Sequence, residues 1–170
     1  KIEEFTSENI LISLPISFSV SNYLLKFCAS SVLLEYAKNV FINYHPALNI
    51  KLLKNITPFT FTEKKFNEII QTCGIVISNL SSVCIESLAL GVPVIVVQGG
   101  SSINQNPIPM NIEKNLWDEC DNQHDFKKIF QKLYLRKNRN EQIKIAKVIR
   151  ENYFEPVNEV SVNRFIENSN

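Results

Sequence analysis

The stretch GIVISNLSSVCIESLALGVPVIVVQ, residues 74–98, determines the fold because it predicts a strand, a polar turn, a short helix and a second strand. Residues 74–77 form an apolar, β-branched run that is typical of a strand buried on both faces. Polar residues interrupt that run, and residues 83–90 are predicted to be helical. Gly91 fits the left-handed position that ends a helix, and Pro93 prevents its continuation. Residues 92–97 predict the second buried strand, which completes one β-α-β unit of a parallel sheet.

Two serines stand at the predicted start of this helix, just beyond the carboxyl end of the first strand. The backbone N–H groups and the positive dipole end of such a helix attract anions. Glu86 lies one turn after Ser82 on the same helix face. A phosphate at Ser81 and Ser82 and a ribose diol at Glu86 would fit this spacing. The alternative is that the serines only cap the helix and that Glu86 is an ordinary surface residue.

The composition restricts the classes of function. The chain has 170 residues, of which 45% are hydrophobic and 21% charged, so we expect one globular domain with its own core. The net charge of +1 gives no overall field that would attract nucleic acid, and no nucleic-acid partner is expected. Four widely spaced cysteines and two histidines predict neither a zinc site nor disulfides. Three of the four lie in apolar contexts, and we expect these to be buried thiols in a reducing, cytoplasmic compartment.

Two features of the chain concern targeting. No apolar run reaches the roughly 18 residues that a membrane span requires, and no signal-peptide pattern is present. Because the sequence begins with Lys1, we expect it to be one domain of a longer protein.

The rest of the chain alternates strands and helices at a spacing that is typical of βαβ units. Further strands are expected at residues 9–17, 40–44, 59–62 and 116–120. Further helices are expected at residues 19–38 with Ser19 or Ser21 as the cap, 48–53, 64–72, from the cap at Asp121 or Asn122 through Phe126, Ile129, Phe130 and Leu133, at 139–153 and at 157–166. Residues 1–170 are therefore predicted to form a single Rossmann-like α/β domain, a three-layer sandwich with a central parallel sheet.

Polar clusters follow three of the predicted strands, and a glycine pair follows another. They are residues 17–19, His45-Pro46, residues 78–82 and Gly99-Gly100. Ligands of parallel sheets bind beyond the carboxyl ends of the strands, so the expected convergence of these clusters favours a ligand site. Gly99 and Gly100 could let the backbone approach a phosphate or could serve only the loop. His45 could stabilise charge on a phosphate or only cap its own turn.

The run SSVCIESLALGVPVIV resembles the Ser-Ser, Glu and Gly-x-Pro run in the C-terminal, nucleotide-binding half of GT-B glycosyltransferases. The order of the elements agrees as well, so the resemblance covers nearly all of the chain. It implies a donor-binding domain that serves bacterial surface polysaccharide or glycoconjugate synthesis. It also implies that the N-terminal acceptor domain is absent from this chain and that the isolated chain is inactive. UDP-sugar 2-epimerases share this architecture, and an epimerase-like domain is the main alternative.

The pairs His45-Pro46 and Ser81-Ser82 resemble two motifs of bacterial sialyltransferases and related capsule enzymes. The resemblance implies that Ser81 and Ser82 hold the donor phosphate and that Glu86 accepts hydrogen bonds from the ribose. His45 would stabilise the leaving phosphate, and Pro46 would lie beside the nucleotide. The implied donor is a CMP-, CDP- or UDP-linked sugar, with cytidine slightly favoured, and no cofactor is implied. Since no DxD-like pair of acids is present, we expect transfer without a bound metal.

Two other hypotheses concern the whole domain and its C-terminal helices. The domain could be a non-catalytic flavodoxin-like or receiver-like binding module, although no aspartate follows the first strand as a receiver would require. The C-terminal region is rich in lysine and arginine, which predicts either ordinary solvated helix faces or peripheral contact with the anionic inner face of a membrane. Its basic residues are Lys127, Lys128, Lys132, Arg136, Lys137, Arg139, Lys144, Lys147 and Arg150.

Overall fold

One parallel six-stranded sheet organises the molecule. The structure is a computed structural model that describes residues 8–55, 57–79, 81–100, 106–135 and 139–154. The strand order is β3-β2-β1-β4-β5-β6, with every neighbouring pair parallel. The strands are β1 (Asn9–Leu14), β2 (Val40–Tyr44), β3 (Thr60–Phe61), β4 (Cys73–Ser78), β5 (Val94–Val97) and β6 (Trp117–Cys120). This order confirms the predicted Rossmann-like fold class.

The strand order also decides between the Rossmann-like fold and the flavodoxin-like or receiver-like alternative. Those domains place their second strand at the edge of the sheet, whereas here β3 is the edge strand and β2 lies inside it. The topology of the chain is therefore not that of a flavodoxin or a receiver. In the observed order the chain reverses direction across the sheet between β1 and β4.

Five α-helices in the described part of the chain cover the two faces of the sheet. The side chains of each strand point alternately to the two faces of the sheet. On one face, α1 (Phe18–Ala29) and α4 (Gln123–Leu135) bury residues such as Ile10 and Ile12 of β1. On the other face, α2 (Phe66–Ile69), α3 (Val83–Ala89) and α5 (Arg139–Tyr153) cover residues such as Leu11. Burial on both faces explains the continuous apolar runs of the strands.

The predicted helix over residues 19–38 is wrong, because the structure divides it. The helix α1 ends at Ala29, and Ser31 has an extended backbone with a φ of −104° and a ψ of −179°. The Ser31 hydroxyl oxygen accepts a hydrogen bond from the Leu33 N–H at 3.1 Å, which starts a separate 3-10 helix at Val32–Asn39. Ser31 therefore caps a new helix at a point where the apolar periodicity alone predicts that the first helix continues.

The predicted caps of α1 are also wrong. The helix begins at Phe18, so Ser17 occupies the cap position, without a capping bond from its side chain. The Ser21 hydroxyl instead donates to the Pro15 carbonyl at 2.8 Å and fixes the turn that follows β1.

Four other boundaries differ from the predicted ones. Residues 48–50 are irregular and residues 51–53 form a turn, so no helix is present there. The first strand ends at Leu14, and β3 is only two residues long. The helix predicted over residues 64–72 consists of α2 and a 3-10 turn at Ile70–Thr72. The last predicted helix, residues 157–166, lies outside the described residues.

Two other expectations about the chain are confirmed. Gly91 ends α3 with a φ of 79°. All four cysteines are buried thiols, and burial raises the pKa of Cys73 to about 11 and that of Cys84 and Cys120 to about 12. These thiols stay protonated at neutral pH and are therefore unreactive.

Across the described ranges, no helix has the length and apolar character needed to cross a membrane.

Candidate functional site

A cleft of about 730 Å³ opens at the carboxyl edge of the sheet. Its described lining comes from four segments that follow β1, β2, β3 and β4, namely residues 13–16, 43–46, 62–66 and 81–83. The cleft thus includes the point between β1 and β4 where the chain reverses across the sheet, which is where open α/β sheets bind ligands. Its volume is within the range of small-molecule sites.

Hydrogen bonds fix the strand ends that form the floor of the cleft. The buried Ser78 hydroxyl donates to the Ser13 carbonyl at 2.8 Å and joins β4 to β1. The His45 N–H donates to the Leu14 carbonyl at 3.2 Å and joins β2 to β1. Because these bonds link three neighbouring strands, the loops that carry the polar side chains start from a rigid base.

His45 lies exposed at the mouth of the cleft, and Pro46 lines the cleft beside it. The Nδ1 atom of His45 accepts a hydrogen bond from the Ala47 N–H at 3.1 Å. A ring nitrogen that accepts carries no proton, so this bond assigns the proton of the neutral imidazole to Nε2. His45 can therefore donate one hydrogen bond from Nε2 to a ligand without being positively charged.

Ser81 and Ser82 line the same cleft as His45. The Ser81 hydroxyl oxygen accepts a bond from the Val83 N–H at 3.3 Å, a local turn contact that leaves its hydroxyl proton able to donate. Ser82 occupies the cap position of α3 but makes no capping bond with its side chain. Instead its hydroxyl donates to Glu86 Oε1 at 2.9 Å. Glu86 is not among the described residues that line the cleft, and it reaches the site through Ser82.

Gly99 and Gly100 have positive φ values of 115° and 75° and pack against Tyr23. A Cβ atom at Gly99 would lie 2.6 Å from the Tyr23 ring, and one at Gly100 would lie 2.7 Å from Tyr23 Cβ. The Asn79 amide donates to the Gly99 carbonyl at 3.1 Å and also to the Val97 carbonyl. The glycines are not among the described residues that line the cleft, and both pack against Tyr23.

The sequence analysis missed two cleft residues, Lys64 and Lys65. The predicted helix over residues 64–72 places both lysines in its first turn. The structure places them in the loop between β3 and α2, at the same sheet edge as His45. The available signal was topological, since the loop after every parallel strand emerges at this edge.

The other end of the carboxyl edge is closed by polar side chains that bind one another. Glu119 of β6 accepts hydrogen bonds from Gln98 at 2.9 Å, Asn106 at 3.1 Å and Lys114 at 3.1 Å. Burial raises the pKa of Glu119, but these bonds and the charge of Lys114 outweigh burial and hold it below its usual value. Lys114 and Lys132 also form ion pairs with Asp118.

Two expectations about binding, on a metal ion and on a membrane surface, concern the described part of the chain. No three His, Cys, Asp or Glu side chains converge there in a way that could hold a metal ion. The helices α4 and α5 lie on opposite faces of the sheet. The lysines of α4, such as Lys127 and Lys128, therefore do not share one face with Lys144 and Lys147 of α5.

No protein-family profile matches the chain, and no curated protein matches it in sequence. Several solved structures match its fold, among them the following three. The glycosyltransferase SnogD from Streptomyces nogalater has a TM-score of 0.53 at 14% identity and covers 88% of this chain and 41% of its own. A putative UDP-N-acetylglucosamine 2-epimerase from Listeria monocytogenes has a TM-score of 0.50 at 15% identity and covers 86% and 41%. A variant of the wall teichoic acid polymerase TagF has a TM-score of 0.50 at 13% identity and covers 97% and 43%.

These likenesses establish the class of fold, a Rossmann-like α/β domain of the GT-B kind. The chain spans about two fifths of the length of each of these neighbours. At such low identities the likeness concerns the fold alone, and function has to be argued from the cleft.

Proposed function

We propose that this chain is the nucleotide-sugar-binding domain of a glycosyltransferase and that the cleft at the carboxyl ends of β1 to β4 holds the donor. The observation that carries the proposal is that His45-Pro46 and Ser81-Ser82, far apart in the sequence, line one cleft at the topological switch point. Two of the structural neighbours are a glycosyltransferase and a polymerase of wall teichoic acid, which supports a transferase.

The donor phosphate lies between the two serines and His45 in this proposal. The Ser81 and Ser82 hydroxyls and the Nε2–H of His45 donate hydrogen bonds to its oxygens. Ser82 must first release Glu86, to which it donates in the structure. That exchange leaves the Glu86 carboxylate free to accept hydrogen bonds from the ribose hydroxyls, so phosphate and ribose binding are coupled through one side chain. Pro46 lies beside the nucleotide.

The chemical role of His45 in this proposal is to stabilise the negative charge that develops on the leaving phosphate. A neutral imidazole does so by hydrogen bonding from Nε2, since its Nδ1 is occupied by the Ala47 N–H. The base that activates the acceptor comes from a second, N-terminal domain. Residues 1–170 alone therefore bind the donor but transfer little sugar.

The biological role that we propose is surface polysaccharide or glycoconjugate synthesis in the bacterial cytoplasm with a CMP-, CDP- or UDP-linked donor. Peripheral contact with the inner membrane face through the basic C-terminal helices is a further proposal. That contact would involve one of the two sheet faces at a time, because the described lysines of α4 and α5 lie on opposite faces.

The experiment that tests the binding proposal is calorimetric titration of the chain with CMP, CDP, UDP and GDP. We expect one base to be preferred and Ser82→Ala and Glu86→Ala each to weaken binding by about 1–3 kcal/mol, as for lost hydrogen bonds to charged groups. Ser30→Ala and Glu35→Ala, which change exposed residues far from the cleft, are the matched controls. Unchanged binding in both cleft variants, or no binding of any nucleotide by the unaltered chain, would contradict the proposal.

An epimerase-like domain is the second candidate function. The observation in its favour is a similarity of fold. The putative UDP-N-acetylglucosamine 2-epimerase has a TM-score close to that of the glycosyltransferase SnogD. Product analysis on a longer protein that contains this chain separates the two functions. An epimerase yields a free sugar or an epimerised nucleotide-sugar without an acceptor, whereas a transferase yields a glycosylated acceptor.

A further inference from the structure

The wall of the cleft opposite the serines carries two lysines that the proposed function leaves without a role. Lys64 and Lys65 lie in residues 62–66, the segment that follows β3. Glu63 is the one carboxylate among the described residues that line the cleft. Apart from His45, the described lining therefore has a net charge of +1 from two lysines and one glutamate, and both lysines belong to this one wall.

The backbone that carries the two lysines is held in place by hydrogen bonds. The Thr62 hydroxyl oxygen accepts from the Lys64 N–H at 3.2 Å, and the Asn43 amide donates to the Lys64 carbonyl at 2.9 Å. The Lys65 N–H donates to the Glu68 carboxylate at 3.3 Å. Since Asn43 belongs to β2, the lysine wall is fixed to the strand that leads into His45.

The two lysines also differ from those at the closed end of the sheet edge in what they bind. Lys114 and Lys132 are paired with Asp118, and Lys114 also with Glu119. Within the described ranges, neither Lys64 nor Lys65 forms an ion pair. Their ammonium groups remain able to bind an anion that enters the cleft.

We propose that Lys64 and Lys65 form a second anion-binding wall and select ligands that carry a second negative group beyond the phosphate at the serines. This inference rests on the proposed function and deepens it. The second group is either another phosphate or a carboxylate on the transferred sugar, because a lysine ammonium binds both as a point charge. Phosphate at the serine wall and charge at the lysine wall together orient the donor across His45.

The test compares ligands that differ by one charge, on the unaltered chain and on the double variant Lys64→Gln/Lys65→Gln. The ligands are UMP against UDP, CMP against CDP, UDP-glucose against UDP-glucuronate, and inorganic pyrophosphate. Lys51→Gln/Lys54→Gln is the matched control, because these lysines are exposed and lie outside the cleft lining. We expect the double cleft variant to weaken the more charged member of one pair by about fivefold to twentyfold more than the less charged member.

The ligand pair that shows this difference identifies the second negative group. A difference in the nucleotide pairs indicates a second phosphate, and a difference in the nucleotide-sugar pair indicates a carboxylate. Raising the salt to about 1 M should remove most of the difference, because the screening length then falls to about 3 Å. The inference is overturned if the cleft variant weakens both members of every pair equally, or if the control variant has the same effect.

The same titrations distinguish failure of this inference from failure of the proposed function. Nucleotide binding by the unaltered chain with no charge-dependent loss in the lysine variant overturns the lysine wall alone. Pyrophosphate binding that the lysine variant loses, without binding of any nucleotide, supports the lysine wall and overturns the nucleotide-sugar site. Binding of none of these ligands overturns both.

Discussion

The two ends of the carboxyl edge of the sheet use similar polar side chains in different ways. Beyond β1 to β4 the side chains line an open cleft, and His45, Ser81 and Lys64 keep hydrogen-bond donors that no described residue accepts. Beyond β5 and β6 the donors and acceptors bind one another around Glu119, and the glycines are covered by Tyr23. The polar groups of the first end keep unused donors, whereas those of the second end bind one another.

This difference shows that position at a strand end does not by itself place a residue in the cleft. Gly99-Gly100 and His45-Pro46 both follow a parallel strand, and only the second pair lines the cleft. The distinguishing property is whether a neighbouring side chain already fills the space or accepts the bond. Substitutions at the closed end should therefore lower stability, and substitutions at the cleft should lower binding.

The largest effect is expected for Gly100→Ala at the closed end. Gly100 has a φ of 75°, and an added Cβ would lie 2.7 Å from Tyr23 Cβ, which cannot rotate away. We expect the free energy of unfolding to fall by about 2–4 kcal/mol from backbone strain together with overpacking. Urea denaturation followed by circular dichroism measures this change.

Gly91→Ala is the matched control for this prediction. Gly91 has a similar φ of 79°, but its added Cβ would meet its nearest atoms at an ordinary 3.6 Å. It should therefore cost only the backbone term of about 1–2 kcal/mol. Equal losses in the two variants would show that the close contact with Tyr23 contributes nothing.

A smaller effect is expected for Asn79→Ala, which breaks the connection between the two ends. The buried Asn79 amide donates to the carbonyls of Val97 and Gly99, and alanine would leave both carbonyls without these bonds. We expect unfolding to become easier by about 2 kcal/mol. We also expect weaker nucleotide binding, since Asn79 lies shortly before Ser81 and Ser82, which line the cleft. Asn115→Ala, at an exposed asparagine, should change neither quantity by more than about 0.5 kcal/mol.

The sequence was sufficient to predict the fold class and the serine segment, and the reason lies in residues 74–98. Their apolar runs, Gly91 and Pro93 each specify a local structure that the tertiary fold keeps, as Cys73–Ser78, Val83–Ala89 and Val94–Val97 show. In such a segment local propensity and the global fold agree, so pattern analysis succeeds.

The sequence was not sufficient to predict the structure where a tertiary contact decides between two possible local conformations. Ser31 interrupts an apolar periodicity that would otherwise continue one helix. The packing of Tyr23 on Gly99 involves residues that are distant in the sequence, so nothing near Gly99 indicates why glycine is needed there. Lys64 and Lys65 gain significance only from the sheet order, which places β3 beside β2.

At the cleft, three substitutions of His45 separate its two nitrogens. Glutamine can place an amide N–H close to where Nε2 lies, whereas asparagine can only replace Nδ1 as the acceptor for the Ala47 N–H. We expect His45→Asn and His45→Ala to weaken binding of the preferred nucleotide about tenfold, or about 1.4 kcal/mol, and His45→Gln to weaken it less than threefold. All three should unfold within about 0.5 kcal/mol of the unaltered chain, because His45 is exposed. Better binding by His45→Asn than by His45→Gln would show that the turn, and not the donor, matters.

The smallest effect is expected for Glu119→Gln, and its dependence on pH tests whether the closed end is electrostatic. The pKa of Glu119 is lowered from its ordinary value of 4.5 in the folded chain, so its stabilising effect is complete above that value and is lost as the pH falls through the folded pKa. The variant should lose at most about 1 kcal/mol at neutral pH, because its side chain is 35% exposed to solvent, and this difference should shrink towards zero on acidification. Glu151→Gln removes an exposed ion pair with Lys147 and should cost about 0.5 kcal/mol or less. Since Glu119 lies outside the described cleft lining, nucleotide binding should be unchanged, and a loss as large as that of His45→Asn would show that the two ends form one site.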